Sequence, residues 1–237
     1  MNSVHRLFAC ATALVAALSV GPAGAQPASP VPVIQGPTYV MTYVEVVPTA
    51  TARAIAALKE YRDASRKESG AQSIDVYQEK GQSHRFVVSE VWKDRQTEDG
   101  HHKAAAMSDL VQKLKPIELG PLDIRIHQAH SVTPPRAPNA NDVIIISHVD
   151  VFGGNVAKLI GLLNVLGEQS RKDNGVVRYE ILDEVPAHPN HFRMLEEWTT
   201  PAAWEAHDLA QHTQAYREAL MPMLGTPYDQ RLYTLIN

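Results

Sequence analysis

Apolar and polar positions along the chain change period in a fixed order. Runs of alternating or β-branched residues indicate strands, and apolar residues at three- and four-residue spacing indicate helices. A glycine at position 70 follows the first helix, where a helix end favours a positive φ. The first half of the chain is therefore predicted to contain strand, helix, strand, strand, helix and strand, at 40–47, 51–69, 73–78, 85–92, 104–114 and 122–127.

The same order occurs a second time, about 105 residues later. The stretch SRKESG at 65–70 matches SRKDNG at 170–175, and FVVSEVW at 86–92 matches FRMLEEW at 192–198. His101 then matches His207 in the same register. An internal repeat of this length indicates two copies of one structural module.

Each copy has the element order of a ferredoxin-like βαββαβ module, with helices on one face of a four-stranded sheet. The uncovered sheet faces need a partner, and the second module on the same chain is the natural one. We therefore expect an α+β fold in which two tandem modules pair within the chain and form an α/β barrel. The predicted boundaries are module 1 at 39–128, a proline-containing linker at 129–143 and module 2 at 144–237.

The N-terminus has the features of a secretory signal peptide. Arg6 precedes an uncharged, largely apolar run from Leu7 to Val20, and Ala23-Gly24-Ala25 is an A-x-A cleavage signal. We expect residues 1–25 to be removed, which also removes Cys10, the single cysteine, and leaves a proline-rich lead-in at 26–38. The expected location is the periplasm or the medium, without a membrane anchor.

Composition narrows the classes of function. The 22 Lys and Arg are outnumbered by 26 Asp and Glu, and they are scattered along the chain. Such a chain lacks the cationic stripe that binds a phosphate backbone, so we expect no nucleic-acid partner. There is no glycine-rich phosphate loop, dinucleotide fingerprint or G-x-S-x-G elbow, so nucleotide cofactors and a serine nucleophile have no support.

The ordered set of a strand, a helix ending in S-R-x-[ED]-x-G, a hairpin, F-x-x-x-E-x-W and a His nine residues after the Trp resembles the antibiotic biosynthesis monooxygenase (ABM) family of dimeric α/β barrels. The resemblance covers both modules. It implies the barrel fold, and it implies cofactor-independent oxidation of quinols and polyphenols as an activity of the family. The family also includes haem-degrading relatives, so the resemblance implies fold more firmly than reaction.

Alternation on the third strand of each module places a carboxylate among apolar side chains, Glu90 beside Trp92 and Glu196 beside Trp198. A buried carboxylate must be paired or carry a raised pKa. One interpretation is a structural ion pair with Arg125 or Arg231 on the last strand. The other is a polar group in an apolar cavity that orients a phenolic hydroxyl, with the Trp as a flat wall for an aromatic ring.

The histidines are the candidate bases. His101 and His207 are expected at a helix start or in the preceding loop. There they would be either exposed or cap-forming, or they would act as general bases, and Trp204 could shield His207. His148, on the first strand of module 2, stands where module 1 has Tyr43, so the two sites should not be equivalent.

A resident metal is not expected. The pairs His127-x-x-His130 and His188-x-x-His191 lack a carboxylate at a spacing that would complete a site.

The leading hypothesis is an exported, cofactor-free monooxygenase that acts with dioxygen on a small electron-rich aromatic substrate. The catalytic set would comprise His207, His101, Trp198, Trp92, Glu196, Glu90, Arg231, Arg125 and His148. The alternatives are a non-catalytic periplasmic ligand-binding or stress protein on the same barrel and, third, a haem-degrading enzyme. Further dimerisation of the chain is left open.

Overall fold

The structure is a computed structural model that describes residues 36–133, 139–185 and 188–237. The predicted signal peptide, Cys10 and most of the lead-in lie outside the described residues, as does the central part of the predicted linker. Within the described part of the chain, no helix has both the length and the apolar character needed to cross a bilayer.

The two modules contain the same elements in the same order. Module 1 consists of β1 Thr38–Glu45, α1 Thr51–Ser65, β2 Ala71–Glu79, β3 Arg85–Trp92, α2 Arg95–His101, α3 Ala105–Leu114 and β4 Asp123–Ser131. Module 2 consists of β5 Val143–Asp150, α4 Val156–Ser170, β6 Val176–Glu184, β7 His191–Trp198, α5 Pro201–Asp208, α6 Gln211–Leu220 and β8 Asp229–Leu235. One 3₁₀ turn precedes α1, and another precedes α4.

Most predicted bounds in module 1 shift by a few residues, and two larger differences concern the segment after Trp92 and the end of β4. The polar stretch after Trp92 contains the short helix α2, because Asp94 caps its first turn and Thr97 bonds back to the cap. A capped helix of two turns needs no apolar periodicity, so the hydrophobic pattern did not reveal it. Strand β4 continues to Ser131 rather than ending at His127, because its last residues pair with β6 of module 2.

The eight strands form one closed barrel in the order β1-β3-β2-β8-β5-β7-β6-β4. The two sheets join through antiparallel pairs between modules, β2 with β8 and β4 with β6. The prediction of two ferredoxin-like modules that pair within the chain is confirmed. Closure also removes the open sheet edges that each module alone would expose.

Each strand presents alternate side chains to the helices and to the barrel interior. The helix side of module 1 carries a core that includes Val40, Phe86, Val88 and Trp92. Ten buried residues of both modules fill the middle of the barrel, among them Tyr39, Met41, Tyr77 and Tyr233. The face of β3 that carries Glu90 and Trp92 therefore packs under helices and not inside the barrel.

The glycine of the repeated S-R-K-x-x-G motif has a steric role. Gly70 and Gly175 have φ values of +91° and +84°. A Cβ at Gly175 would lie 2.6 Å from the Cβ of Ala203, and one at Gly70 would lie 2.7 Å from Thr97. The glycine thus brings the end of each first helix against the short helix that carries the histidine, and the predicted positive φ is confirmed.

Candidate functional site

A connected polar cluster lies under the helices of module 1. The side chain of Glu90 accepts a hydrogen bond from Nε1 of Trp92 at 2.9 Å and another from the hydroxyl of Tyr61. The same hydroxyl lies 2.6 Å from Nε2 of His101, and the His101 ring stacks on Trp92 with ring centroids 4.4 Å apart. Glu90, Trp92 and His101 are each at most 1% exposed.

The cluster reaches the surface through Glu68. Its carboxylate lies 2.9 Å from Nδ1 of His101, and its side chain is a quarter exposed. Glu68 and His101 line an open depression of about 590 Å³ between α1, α2 and the start of α3. A continuous path of hydrogen bonds therefore runs from this depression through His101 and Tyr61 to the buried Glu90.

The number of protons shared along this path limits which of its contacts can be hydrogen bonds at the same time. The hydroxyl of Tyr61 has one proton but lies between two acceptors, the Glu90 carboxylate and Nε2 of His101. Because Nδ1 of His101 also faces the Glu68 carboxylate, all three contacts along the path are hydrogen bonds only when one additional proton resides on Glu68, His101 or Glu90. The path can therefore pass a proton between a buried carboxyl and an imidazole at the edge of the depression.

Module 2 repeats the cluster with one change. Glu196 accepts from Nε1 of Trp198 at 3.1 Å, the His207 ring stacks on Trp198 at 4.6 Å, and Asp173 lies 2.7 Å from Nδ1 of His207. The helix position of Tyr61 is held by Leu166. Among the described residues, no tyrosine hydroxyl bridges Nε2 of His207 and the Glu196 carboxylate, which are 3.8 Å apart.

Burial dominates the electrostatics of both clusters. Desolvation raises the pKa of Glu90, against the effects of His101, Tyr61 and Trp92. It raises the pKa of Glu196 to about 7, opposed chiefly by the Trp198 hydrogen bond. Desolvation also lowers the pKa of His207, opposed by the Asp173 carboxylate. Near neutral pH, module 2 therefore holds a largely neutral imidazole beside a carboxyl that is close to half protonated.

The predicted ion pairs of the two glutamates with arginines are wrong. Glu90 pairs in register with Val40 of β1, whereas Arg125 pairs with Met41, so Glu90 and Arg125 lie on opposite faces of the sheet. The partners of the buried carboxylates are Trp, Tyr and His side chains. Arg125 instead binds Asp123 at 2.7 Å, and Arg231 binds Asp229 at 2.9 Å.

Both histidine sites also differ from expectation. His101 and His207 lie in the last turns of α2 and α5, and they are buried rather than exposed or at a helix start. They are buried because α2 and α5, which the hydrophobic pattern did not predict, place the two imidazole rings against Trp92 and Trp198.

The remaining predicted residues meet at one end of the barrel. Arg125, Arg231 and His148 line a cavity of about 220 Å³ there with Tyr43, Arg193 and Tyr233. This barrel mouth lies on the opposite side of the sheet from His101 and His207. The nine predicted residues thus form three groups, two under the helices and one at the barrel mouth.

Sequence reasoning missed Glu68, Asp173 and Tyr61. A signal was present for the first two, because the fourth position of the repeated SRKESG and SRKDNG motif is acidic in both copies. Tyr61 was assigned only to the apolar face of its helix. Its hydroxyl is brought to His101 by packing across α1 and α2, which no local pattern reports.

Within residues 36–133, 139–185 and 188–237, two side-chain groups could hold a metal ion. One is His148, Glu184 and His191 at the barrel mouth, and the other is Asp173, His207 and His212 beside the second cluster. In each group the ligand atoms all lie within 4.8 Å of one another. His191 has no carboxylate at a metal-ligand spacing in the sequence, and the tertiary structure supplies Glu184.

Solved structures with this architecture include proteins that carry both modules on one chain. Structures named "putative monooxygenase", from Lactobacillus acidophilus NCFM and Fusobacterium nucleatum, match with TM-scores of 0.70 and 0.76 at 16% and 14% identity. They cover 86% and 85% of this chain, which covers 95% and 93% of theirs. An anthrone oxidase-like protein matches with a TM-score of 0.69 at 12% identity, over 88% of this chain and 95% of its own. At these identities the likeness concerns the fold.

A comparison with curated proteins finds no match. The family model for antibiotic biosynthesis monooxygenase matches residues 37–113 and again 142–219, which together make up well over half of the chain. The chain therefore belongs to the antibiotic biosynthesis monooxygenase family, with two copies of the family domain in tandem.

Proposed function

We propose that this protein is a cofactor-independent monooxygenase that oxidises an electron-rich phenol, such as a quinol or polyphenol, at the helix-side cluster of module 2. One observation carries the proposal. In module 1 the cluster already holds a phenol, the side chain of Tyr61, with its hydroxyl between Nε2 of His101 and Glu90. In module 2 Leu166 stands at the matching helix position, and the proposal places the hydroxyl of a substrate phenol between His207 and Glu196.

The second cluster has the groups that such a reaction requires. The Asp173 carboxylate fixes the His207 ring through Nδ1, so that Nε2 is the proton acceptor. The Thr213 hydroxyl lies 3.5 Å from Nε2, at the limit of a hydrogen bond. His207 is therefore oriented and available to take the proton of a phenolic hydroxyl.

The reaction balances without a further reductant. His207 removes the phenolic proton, and the phenolate passes one electron to dioxygen. The resulting ring radical and superoxide combine at a ring carbon that bears hydrogen, and the peroxide loses water to leave a second carbonyl. In total the phenol gives up four electrons, one oxygen atom enters the ring, and the other leaves as water with the proton held by His207.

Trp198 and Glu196 have supporting roles. Trp198 stacks on His207 and donates to Glu196, which fixes both side chains. With its pKa near 7, Glu196 can donate a hydrogen bond to the phenolic oxygen in its protonated form. A buried donor at this position orients the substrate and stabilises the charge that develops on oxygen.

The test is oxygen uptake by the untagged chain with a panel of quinols and polyphenols, in the presence of EDTA and without added flavin. His207→Ala and Asp173→Asn are expected to lower turnover by about 100-fold or more, the usual contribution of a positioned base. Tyr61→Phe, which alters only the module 1 cluster, is the control and should retain wild-type turnover.

Oxygen uptake that persists in His207→Ala would overturn the assignment of the base. No uptake with any phenol of the panel would overturn the oxygenase proposal and favour the ligand-binding alternative.

We also propose that the chain is exported, on the basis of the signal-peptide pattern in residues 1–25. Cell fractionation and N-terminal sequencing of the mature protein test this. A mature N-terminus at Gln26 is expected, and an intact Met1 in a cytoplasmic fraction would contradict it.

A further inference from the structure

Three side chains of module 2 converge at the barrel mouth, on the side of the sheet away from His207. His148 lies near the end of β5, Glu184 ends β6, and His191 begins β7. All three point toward the barrel interior, because they share strand parity with interior residues of the same strands, such as Ile146 on β5 and Leu182 on β6. Their ligand atoms lie within 4.8 Å of one another.

Each residue of this group has one buried side-chain atom that makes no hydrogen bond within the described residues. These atoms are Nε2 of His148, Oε2 of Glu184 and Nδ1 of His191. Glu184 is only 6% exposed, and its Oε2 has Arg193 at 3.4 Å and Arg125 at 3.7 Å, both beyond good hydrogen-bond distance. Buried polar atoms are nearly always satisfied, so three unsatisfied ones that face each other call for a common partner.

The surroundings of His191 match the outer shell of a metal site. Its second ring nitrogen, Nε2, lies 3.2 Å from Oδ1 of Asp150. That carboxylate is itself held by the amide of Asn190 at 2.8 Å. A carboxylate on the far nitrogen fixes the tautomer of a histidine and leaves the other nitrogen, here Nδ1, free to bind a metal.

We propose that His148, Glu184 and His191 form a binding site for a divalent transition-metal ion of the zinc type. Two imidazoles and one carboxylate are a ligand set that such ions prefer, with a further position left for water or another ligand. Since all three atoms lie within 4.8 Å of one another, a point exists within about 2.8 Å of each. Metal–ligand bonds of about 2.0–2.2 Å then need shifts of less than about 1 Å.

The charge at the barrel mouth permits a cation. Arg125 and Arg231 are neutralised by Asp123 and Asp229, which they bind directly. Glu184 and Asp150 then leave the site with a net negative charge beside Arg193. A metal ion that takes Glu184 as a ligand replaces only its distant contacts with arginine.

The other candidate group does not support a metal in the same way. Oδ2 of Asp173 already pairs with Nδ1 of His207 at 2.7 Å, and Nε2 of His212 lies 3.2 Å from the same oxygen without a hydrogen bond. In this group, within the described part of the chain, only Nε2 of His212 is a buried side-chain atom that lacks a hydrogen bond, whereas at the barrel mouth all three residues have a buried atom without one.

The experiment is a titration of the untagged, chelator-treated full chain with Co²⁺, read by visible absorption and followed by competition with Zn²⁺. Wild type is expected to bind one equivalent with micromolar or tighter affinity, with the absorption of a four- or five-coordinate ion. His191→Gln and Glu184→Gln should each weaken binding by at least about 100-fold. Asp150→Asn, which touches no ligand atom, should weaken it by about 10–100-fold.

His212→Gln is the matched control from the other group and should leave the titration unchanged. Circular dichroism of each variant establishes that it is folded, and Asp150→Asn provides a test if a ligand variant does not fold. The proposal is overturned if wild type shows no saturable Co²⁺ spectrum, if His191→Gln binds as wild type does, or if only His212→Gln loses binding. The readout is independent of oxygen uptake, so this proposal and the oxygenase proposal can fail separately.

Discussion

The hydroxyl of Tyr61 lies 2.6 Å from Nε2 of His101 and thereby occupies the proton-accepting atom of the module 1 imidazole. The equivalent position of module 2 is Leu166. Two clusters with the same Glu, Trp and His thus differ, among the described residues, in whether a tyrosine hydroxyl bridges the imidazole and the carboxylate. This difference, rather than the shared residues, distinguishes the two halves chemically.

The first prediction restores the phenol in module 2. Leu166→Tyr should place a hydroxyl between His207 and Glu196 and abolish oxygen uptake with phenols, because the substituted side chain competes with the substrate from within. Leu166→Met, which is similar in volume and carries no hydroxyl, is the matched control and should stay active. Thermal melts of both variants establish that they are folded. Full activity of folded Leu166→Tyr would place the reaction elsewhere.

The second prediction concerns the buried carboxyl of Glu196. Its pKa is raised from about 4.5 to about 7 in the folded protein. The folded state therefore holds the proton more tightly, and this stabilisation is fully present below pH 4.5 and is lost as pH rises through 7. The loss is roughly 3 kcal/mol of unfolding free energy.

In Glu196→Gln this pH-dependent loss should disappear, while the amide oxygen can still accept from Trp198. Urea unfolding between pH 5 and 8 measures the difference from wild type, and Glu205→Gln at an exposed position is the control. Parallel stability curves for wild type and Glu196→Gln would contradict the raised pKa.

The third prediction concerns acid stability. Burial lowers the pKa of His127 from 6.5 to about 3, with a smaller contribution from Arg125. Below pH 6.5 only the unfolded chain gains this proton, so stability falls as the pH decreases toward 3. His127→Leu should reduce the loss between pH 6.5 and 4.5 by roughly 3 kcal/mol. Urea titrations at those pH values measure it, with His84→Gln as the control; an unchanged acid response would contradict burial as the cause.

The fourth prediction compares two glycines that have the same φ of +84°. Gly81→Ala meets nothing within 4 Å and should cost about 1 kcal/mol for the left-handed backbone alone. Gly175→Ala has the same backbone cost and also drives its Cβ against Ala203, for a total of about 3 kcal/mol. Equilibrium unfolding of the two variants measures the difference. Equal losses would show that α5 moves away without cost.

The local pattern of apolar residues predicted much of the fold, because both modules show the same order of strand and helix periodicity. The strand β3 was predicted with its observed bounds, and the two copies supported each other's assignments. The short helices α2 and α5 were not resolved, because caps at Asp94 and Thr200 stabilise them instead of an apolar stripe. These helices carry His101 and His207. Because the helices were not predicted, the burial of the two histidines was not predicted either.

The sequence predicted the part of the candidate site whose residues lie close together in the chain, but not the contacts that depend on strand register. Glu90, Trp92 and His101 were identified as a group, and the structure brings them together. Arg125 was assigned to the wrong face, because a sequence shows alternation within a strand but not the register between strands. Glu184 and His148 were separated by 36 positions and gave no local signal as neighbours of His191.

By itself, the sequence determined the duplicated module, its order of strands and helices, and the types of residue at the helix-side cluster, since these depend on short-range periodicity and on the comparison of two copies. Tertiary structure decided which side of the sheet each polar residue faces, that the Tyr61 hydroxyl bridges His101 and Glu90, and that His148, Glu184 and His191 converge. Those relationships arise from strand register, barrel closure and packing between elements, which are long-range and leave no periodic trace in the chain.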